Sequence, residues 1–428
     1  VVAVSLKKIS GVVPQARLRG ATGATLLALS RVQFSTAGQG APRFSANLAT
    51  GGADLPRIAG RMEQRAGGAP VFRLQMAEYR AGNAALAIPE LAISQDAAGA
   101  YLFSGRITAS GPLPGGFAQD LRVPIDGRWA GGDELVVWRG CTPVTFGRLQ
   151  YADLALAGQS VTLCPPPGSA IVSRTGGALR IAAGLPSLDL SGRLGETPIV
   201  LRSGAVGFAY PGAVAVSHAE VTLGPADSAA RFLIGDLTAE FGEDIAGTFD
   251  RADISIAAVP LDLRETRGNW RYADGRLTIA DAAFTLTDRE EVDRFEPLAG
   301  RGASLSLQDN MILAQAVLHA PASGRDIVAV DIRHDLSAGT GSADLDVAGI
   351  TFDAALQPDD LSYLAKGVIA NARGVVTGGG EVEWNAAGVT SRGAFSSDRL
   401  DFAAAFGPVS GASGTVEFTD LIGLTTAP

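Results

Sequence analysis

The sequence has little of what most functional classes need. Its 428 residues include three histidines and two cysteines, and only 6% are aromatic. No stretch approaches the roughly 18–20 uninterrupted apolar residues of a membrane-spanning helix. The apolar runs are short, as in Met311-Ile312-Leu313-Ala314. Net charge is −9, and the lysines Lys7, Lys8 and Lys366 and the scattered arginines form no stripe. Without one, a phosphate backbone is not neutralised, and nucleic acid is excluded as a partner. His218, His319 and His334 lie far apart with no H-E-x-x-H or CxxC companion, so no metal site is expected. Gly378-Gly379-Gly380 precedes the strand-like Glu381-Val382-Glu383-Trp384 instead of a helix, and no nucleophile elbow, P-loop or dinucleotide fingerprint occurs. Asp359-Asp360 and Glu290-Glu291 read as structural: strand neighbours point to opposite faces, and acids at a helix start favour its dipole. A glycosidase pair drawn from distant sequence is the one catalytic arrangement that inspection leaves open. The chain is therefore expected to be non-enzymatic, with no cofactor.

The two cysteines, Cys141 and Cys164, are close in sequence. Bridged, they would stabilise the fold by roughly 3.4 kcal/mol through loop closure, in an oxidising extracytoplasmic compartment. Two buried free thiols are the alternative.

What the sequence does have is aliphatic surface and glycine: 46% of residues are hydrophobic and 54 are glycine. A chain this long exceeds the roughly 250–300 residues served by one compact core, so it divides or extends along one axis. Period-two alternation recurs, as in Ala252-Asp253-Ile254-Ser255-Ile256, Leu305-Ser306-Leu307 and Ile350-Thr351-Phe352, and marks half-buried strands. Turn signals such as Gln308-Asp309-Asn310 and Ser337-Ala338-Gly339-Thr340-Gly341-Ser342 arrive between them, as in a meander of hairpins. Ala152-Asp153-Leu154, Ala252-Asp253-Ile254 and Ala343-Asp344-Leu345 form a degenerate repeat, each opening a strand.

Two short amphipathic helices are predicted. One spans 55–66, with Leu55, Ile58, Ala59 and Met62 as its stripe; the other spans 359–372, with Leu361, Leu364, Ala365 and Val368. Both are expected to plug or cap a β core. The predicted fold class is all-β: residues 1–428 as one elongated, curled antiparallel sheet forming a groove, with a soft boundary near 130–170 around the cysteine pair. About 30 strands at about 4.8 Å would extend to roughly 140 Å, too far to stay flat. The sheet would curl into either a filled core or an apolar trough. The candidate lining is the apolar phase of the best strands: Ile254, Ile256, Leu305, Leu307, Val328, Val330, Ile350 and Phe352. The chain begins at Val1 and ends at Thr426-Ala427-Pro428 within an unfinished strand pattern, and reads as an internal segment of a longer protein.

Several phrases go beyond strand grammar. Met76-Ala77-Glu78-Tyr79-Arg80-Ala81-Gly82-Asn83-Ala84 leads to Ile88-Pro89-Glu90-Leu91, then to Ser110-Gly111-Pro112-Leu113-Pro114-Gly115-Gly116. Leu121-Arg122-Val123-Pro124-Ile125-Asp126-Gly127-Arg128-Trp129 precedes Trp138-Arg139-Gly140-Cys141 and Leu163-Cys164-Pro165; Gly374 to Trp384 and Phe418-Thr419-Asp420-Leu421 follow. In their order these phrases resemble the YdbH-like proteins of Gram-negative bacteria, within the AsmA-like group that includes TamB. The resemblance runs in patches from about residue 70 onward. It implies a β-groove that carries phospholipid acyl chains across the periplasm. It also implies an N-terminal anchor in the inner membrane and strand addition to a small outer-membrane lipoprotein at the C-terminal end. Two rival readings are a TamB-like assembly scaffold with a filled interior and a secreted β-helical adhesin or carbohydrate-active protein. Low aromatic content counts against the last.

Overall fold

The computed structural model describes residues 8–21, 23–37, 42–52, 55–113, 115–225, 229–241, 244–256, 259–423 and 425–427. Among them the alternating segments form 29 strands of antiparallel sheet, and no α-helix occurs. Directly opposed residues of an antiparallel pair share a face, so the register maps which side chains stand together. The chain divides into two compact units, Val1–Pro186 with Gly207–Pro211, and Ser187–Val206 with Gly212–Pro428.

In the first unit the strands follow one another as hairpins from Lys8–Arg19 to Gly116–Gly131. One apolar row crosses them: Ala46, Met62, Phe72, Ile93, Phe103, Gly127, Val137, Val172 and Ile181, each opposite the next. The long strand Gly116–Gly131 serves two neighbours, Thr142–Tyr151 along its first half and Glu134–Val137 along its second, so the sheet forks. Cys141 and Cys164 sit at disulfide distance, Sγ–Sγ 2.03 Å, beside the terminal pair Thr142 and Leu163 of one branch.

The second unit continues the meander from Leu188–Leu194 to Gly407–Asp420. Five of its strands carry an interruption at a residue with positive φ: His218 (50°), Arg251 (51°), Glu265 (50°), Asp281 (53°) and Gly302 (64°). Register shifts accompany the last four, between Phe249 and Ala252, Arg264 and Arg267, Ile279 and Ala282, and Arg301 and Ser304. Such bulges insert one residue, bend the strand and increase its twist. Sequence parity changes across each bulge but the face does not. Leu277 and Ile279 oppose Leu307 and Leu305, while Ala282 and Phe284 oppose Ala303 and Gly300 on the same side. Small residues on that side at the bulges, Ala252, Ala282 and Ala303, are 2%, 6% and 6% exposed.

Both predicted helices are corrected. Within 55–66 the chain forms the strand Ile58–Gln64, paired with Arg43–Thr50 and Pro70–Ala81. Leu55, Ile58, Ala59 and Met62 suit a helix by spacing, but Ile58, Gly60 and Met62 also alternate, and two flanking strands decide the outcome. Gly60 fixes the close approach: a Cβ there would lie 2.2 Å from the Arg73 carbonyl oxygen. Within 359–372 the chain makes two single 3₁₀ turns, Pro358–Asp360 and Tyr363–Ala365, then Gly367 at φ 74° and the strand Ile369–Asn385. Leu364 and Val368 stay exposed, so no helical stripe finds a surface to bury.

Candidate functional site

The apolar face of the second unit is continuous. One row runs Leu190, Leu201, Val221, Phe232, Ile254, Leu263, Leu286 and Leu298. Another runs Trp270, Ile279, Leu305, Ala314, Ile332, Ala343 and Val382. Six of the sequence-derived candidates extend or join these rows. Leu305 and Leu307 oppose Ala314 and Ile312; Val328 opposes Leu318; Val330 opposes Leu345. Ile350 and Phe352 lie past a register shift, opposite Val376 and Gly374, and the shift keeps them on the face of Val347. Ile254 is in the first row. Ile256 opposes Ala230 by its backbone, and its side chain lies outside the described residues. The described candidates are half-buried, none fully covered.

This face is only partly covered: Leu190, Leu298, Ala343 and Val382 of its rows are buried, while Ile254, Leu263, Leu305 and Ile332 stay half-exposed. Among the described residues Leu356 is the only large side chain fully buried. The molecule exposes 24893 Å², where a chain of its mass with a closed core would expose about 15000 Å².

Aromatic rings that alternation would send outward from the apolar face lie flat across it. Phe249 covers Gly268, Phe284 covers Gly300 and Trp384 covers Gly341, each directly across a strand pair. A Cβ on Gly300 would come within 2.4 Å of the Phe284 ring, and one on Gly341 within 2.4 Å of Trp384. Phe34 over Gly11 and Phe103 over Gly127 repeat the device in the first unit. These ring–glycine pairs were not found by sequence reasoning, because the partners are distant in sequence and a glycine in a strand reads only as a weak point.

The opposite face is ionic. Arg264 pairs with Asp253 (3.1 Å) and Asp262 (2.6 Å), and Arg289 with Asp262 (2.8 Å). Arg251–Asp236 and Arg392–Glu381 continue the pattern. Where the strand Arg276–Asp288 ends, burial would raise the Asp288 carboxyl. The Arg294 guanidinium, with backbone N–H groups of Arg294 and Glu290, holds it down at about 2. Polar groups also stand on the apolar face, Ser391 opposite Val382 among them. The Trp384 indole N–H donates to His334 Nδ1 at 3.0 Å, and burial holds the imidazole below its ordinary value. Thr266 opposes Ala252. No group of three or more potential metal ligands occurs among the described residues.

Fold and face together define a β-sheet protein with a long, partly open apolar surface backed by a charged one. The chain belongs to the YdbH-like family: the model of that family, described as intermembrane phospholipid transport protein YdbH, matches residues 2–428. No curated protein and no solved structure matches it. Among the described residues no helix is long and apolar enough to cross a membrane.

Proposed function

We propose that residues 1–428 act as one module that conducts phospholipid between the inner and outer membranes of a Gram-negative bacterium, without chemistry. The observation that supports this is the partly open apolar face, with rows that continue from strand to strand. Acyl chains lie on Ile254, Leu305, Leu307, Val330 and their neighbours, while headgroups stay in water at the open side. Each methylene removed from water contributes about 0.8 kcal/mol. Because one aliphatic surface repeats along the rows, that gain is similar at every position, and a lipid moves without a deep trap. The full-length protein sits in the periplasm, anchored in the inner membrane and joined to an outer-membrane lipoprotein by strand addition.

The test is native mass spectrometry with lipid extraction on the chain purified from a Gram-negative host. Phospholipid is expected to co-purify and to be lost when Ile254→Asp and Leu305→Asp are combined. A correctly folded, lipid-free wild-type protein would overturn the reading in favour of an assembly scaffold.

A further inference from the structure

After the strand Gly407–Asp420 the chain turns back onto the apolar face of its own last strands. Gly380 and Gly393 stand opposite each other, two residues along from the opposed pair Val382 and Ser391, and so on the same face. A Cβ on Gly380 would lie 2.6 Å from Leu421 Cδ2, and one on Gly393 3.3 Å from it. The leucine thus fills the notch that the two glycines leave. Ile422 beside it packs on the buried cluster Ala343, Val382 and Trp384, with Val259 on the same cluster. The apolar row through Leu305, Ala314, Ile332, Ala343 and Val382 therefore runs in under this turn.

The turn is pinned more than embedded. Leu421 and Ile422 are half-buried, and Asp420 and Gly423 are exposed. Ser391 Oγ donates to Asp420 Oδ1 at 2.8 Å and accepts from the Ile422 N–H at 2.9 Å. Arg294, paired with Asp288 at 2.8 Å, donates to the Ile422 carbonyl at 3.2 Å. The loop that carries Arg294 and the strand Gly388–Ala404 that carries Ser391 are not neighbours in the sheet, so separate parts of it clasp the turn.

We infer that the turn Asp420–Gly423 is a self-blocking latch: Leu421 and Ile422 occupy hydrocarbon ground that an acyl chain takes when the turn lifts. This rests on the lipid-conducting reading above and adds a regulated position to it. Leucine, isoleucine and acyl methylenes gain from the same removal from water, so the turn and a lipid exclude each other on this strip. Because its two outer residues are exposed and its anchors are a few hydrogen bonds, the turn can lift without unpacking the strands beneath it. The apparent affinity for lipid is then reduced by the fraction of molecules in which the turn is lifted.

The experiment loads the whole chain from vesicles of phosphatidylethanolamine and phosphatidylglycerol, counts bound lipid by native mass spectrometry, and follows amide exchange over residues 420–423. Loading is expected to speed exchange at Ile422 and Gly423, whose N–H groups are bonded in the closed turn. Ser391→Ala removes both side-chain anchors and leaves Leu421, Ile422 and the glycine notch in place. It is expected to raise loading roughly fivefold at a given vesicle concentration, the effect of one hydrogen bond on the closed fraction. Amides at 420–423 that exchange no faster in the loaded wild type, or a Ser391→Ala chain that loads no more than wild type, overturn the latch and leave the conducting face intact. Absence of lipid from both wild type and Ser391→Ala removes the conducting reading, and the latch with it.

Discussion

At the scale of single residues, the strongest electrostatic device is Asp288 with Arg294. The Asp288 side chain is fully buried, and Arg294 also donates to the Ile422 carbonyl at 3.2 Å, tying the loop after Arg276–Asp288 to the end of the chain. A carboxyl held at about 2 in the folded state, against about 3.9 unfolded, contributes roughly 2 kcal/mol. The sign follows from the depressed value: the contribution is complete above pH 4 or so and is lost as pH falls toward 2. Asp288→Asn is expected to lower the urea midpoint at pH 7 and to flatten the fall of stability between pH 4 and pH 2, both readable from denaturation series. The cysteines act at the same scale. Cys141→Ser with Cys164→Ser is expected to cost about 3 kcal/mol and to speed amide exchange in the hairpin of Thr142–Tyr151 with Leu154–Leu163, where the fork begins. That pair was legible in the sequence because only two cysteines exist. Ser391 was not, since one serine in a strand carries no signal until its partners are known.

At the scale of elements, alternation made the strands legible and hid the bulges. Ala252-Asp253-Ile254 keeps a clean period of two, but Ile279-Ala280-Asp281-Ala282 slips by one residue, and a slip in parity reads as noise. Local spacing also misled at 55–66, where a helical stripe and a strand share Ile58 and Met62. Pairing with Arg43–Thr50 and Pro70–Ala81 settles the matter, and no local pattern contains it. The ring–glycine pairs have a measurable consequence. Gly300→Val would put atoms where the Phe284 ring lies, forcing the ring off the sheet and into the space above the apolar face. A loss of about 1–3 kcal/mol is expected, together with reduced lipid loading. A variant that is destabilised yet loads normally would separate the ring from the conducting role.

At the scale of the whole molecule, the apolar surface is large but shallowly buried. In a closed core, replacing leucine by alanine costs about 2–5 kcal/mol. Leu305 and Leu307 are only half-covered, so Leu305→Ala is expected to cost less than about 2 kcal/mol, as urea melts would show. Composition pointed to this: 46% hydrophobic residues with few aromatics is more aliphatic surface than a compact core of this size consumes.

The indole of Trp384 rests on Gly341 with its N–H on His334, in the same row as Leu307 and Ile312. Seen by a spectrometer, it is a built-in gauge. Hydrocarbon arriving alongside would shift its fluorescence to the blue, and a proton taken up by His334 would withdraw its acceptor and quench it, so the loading of the face can be followed without any label.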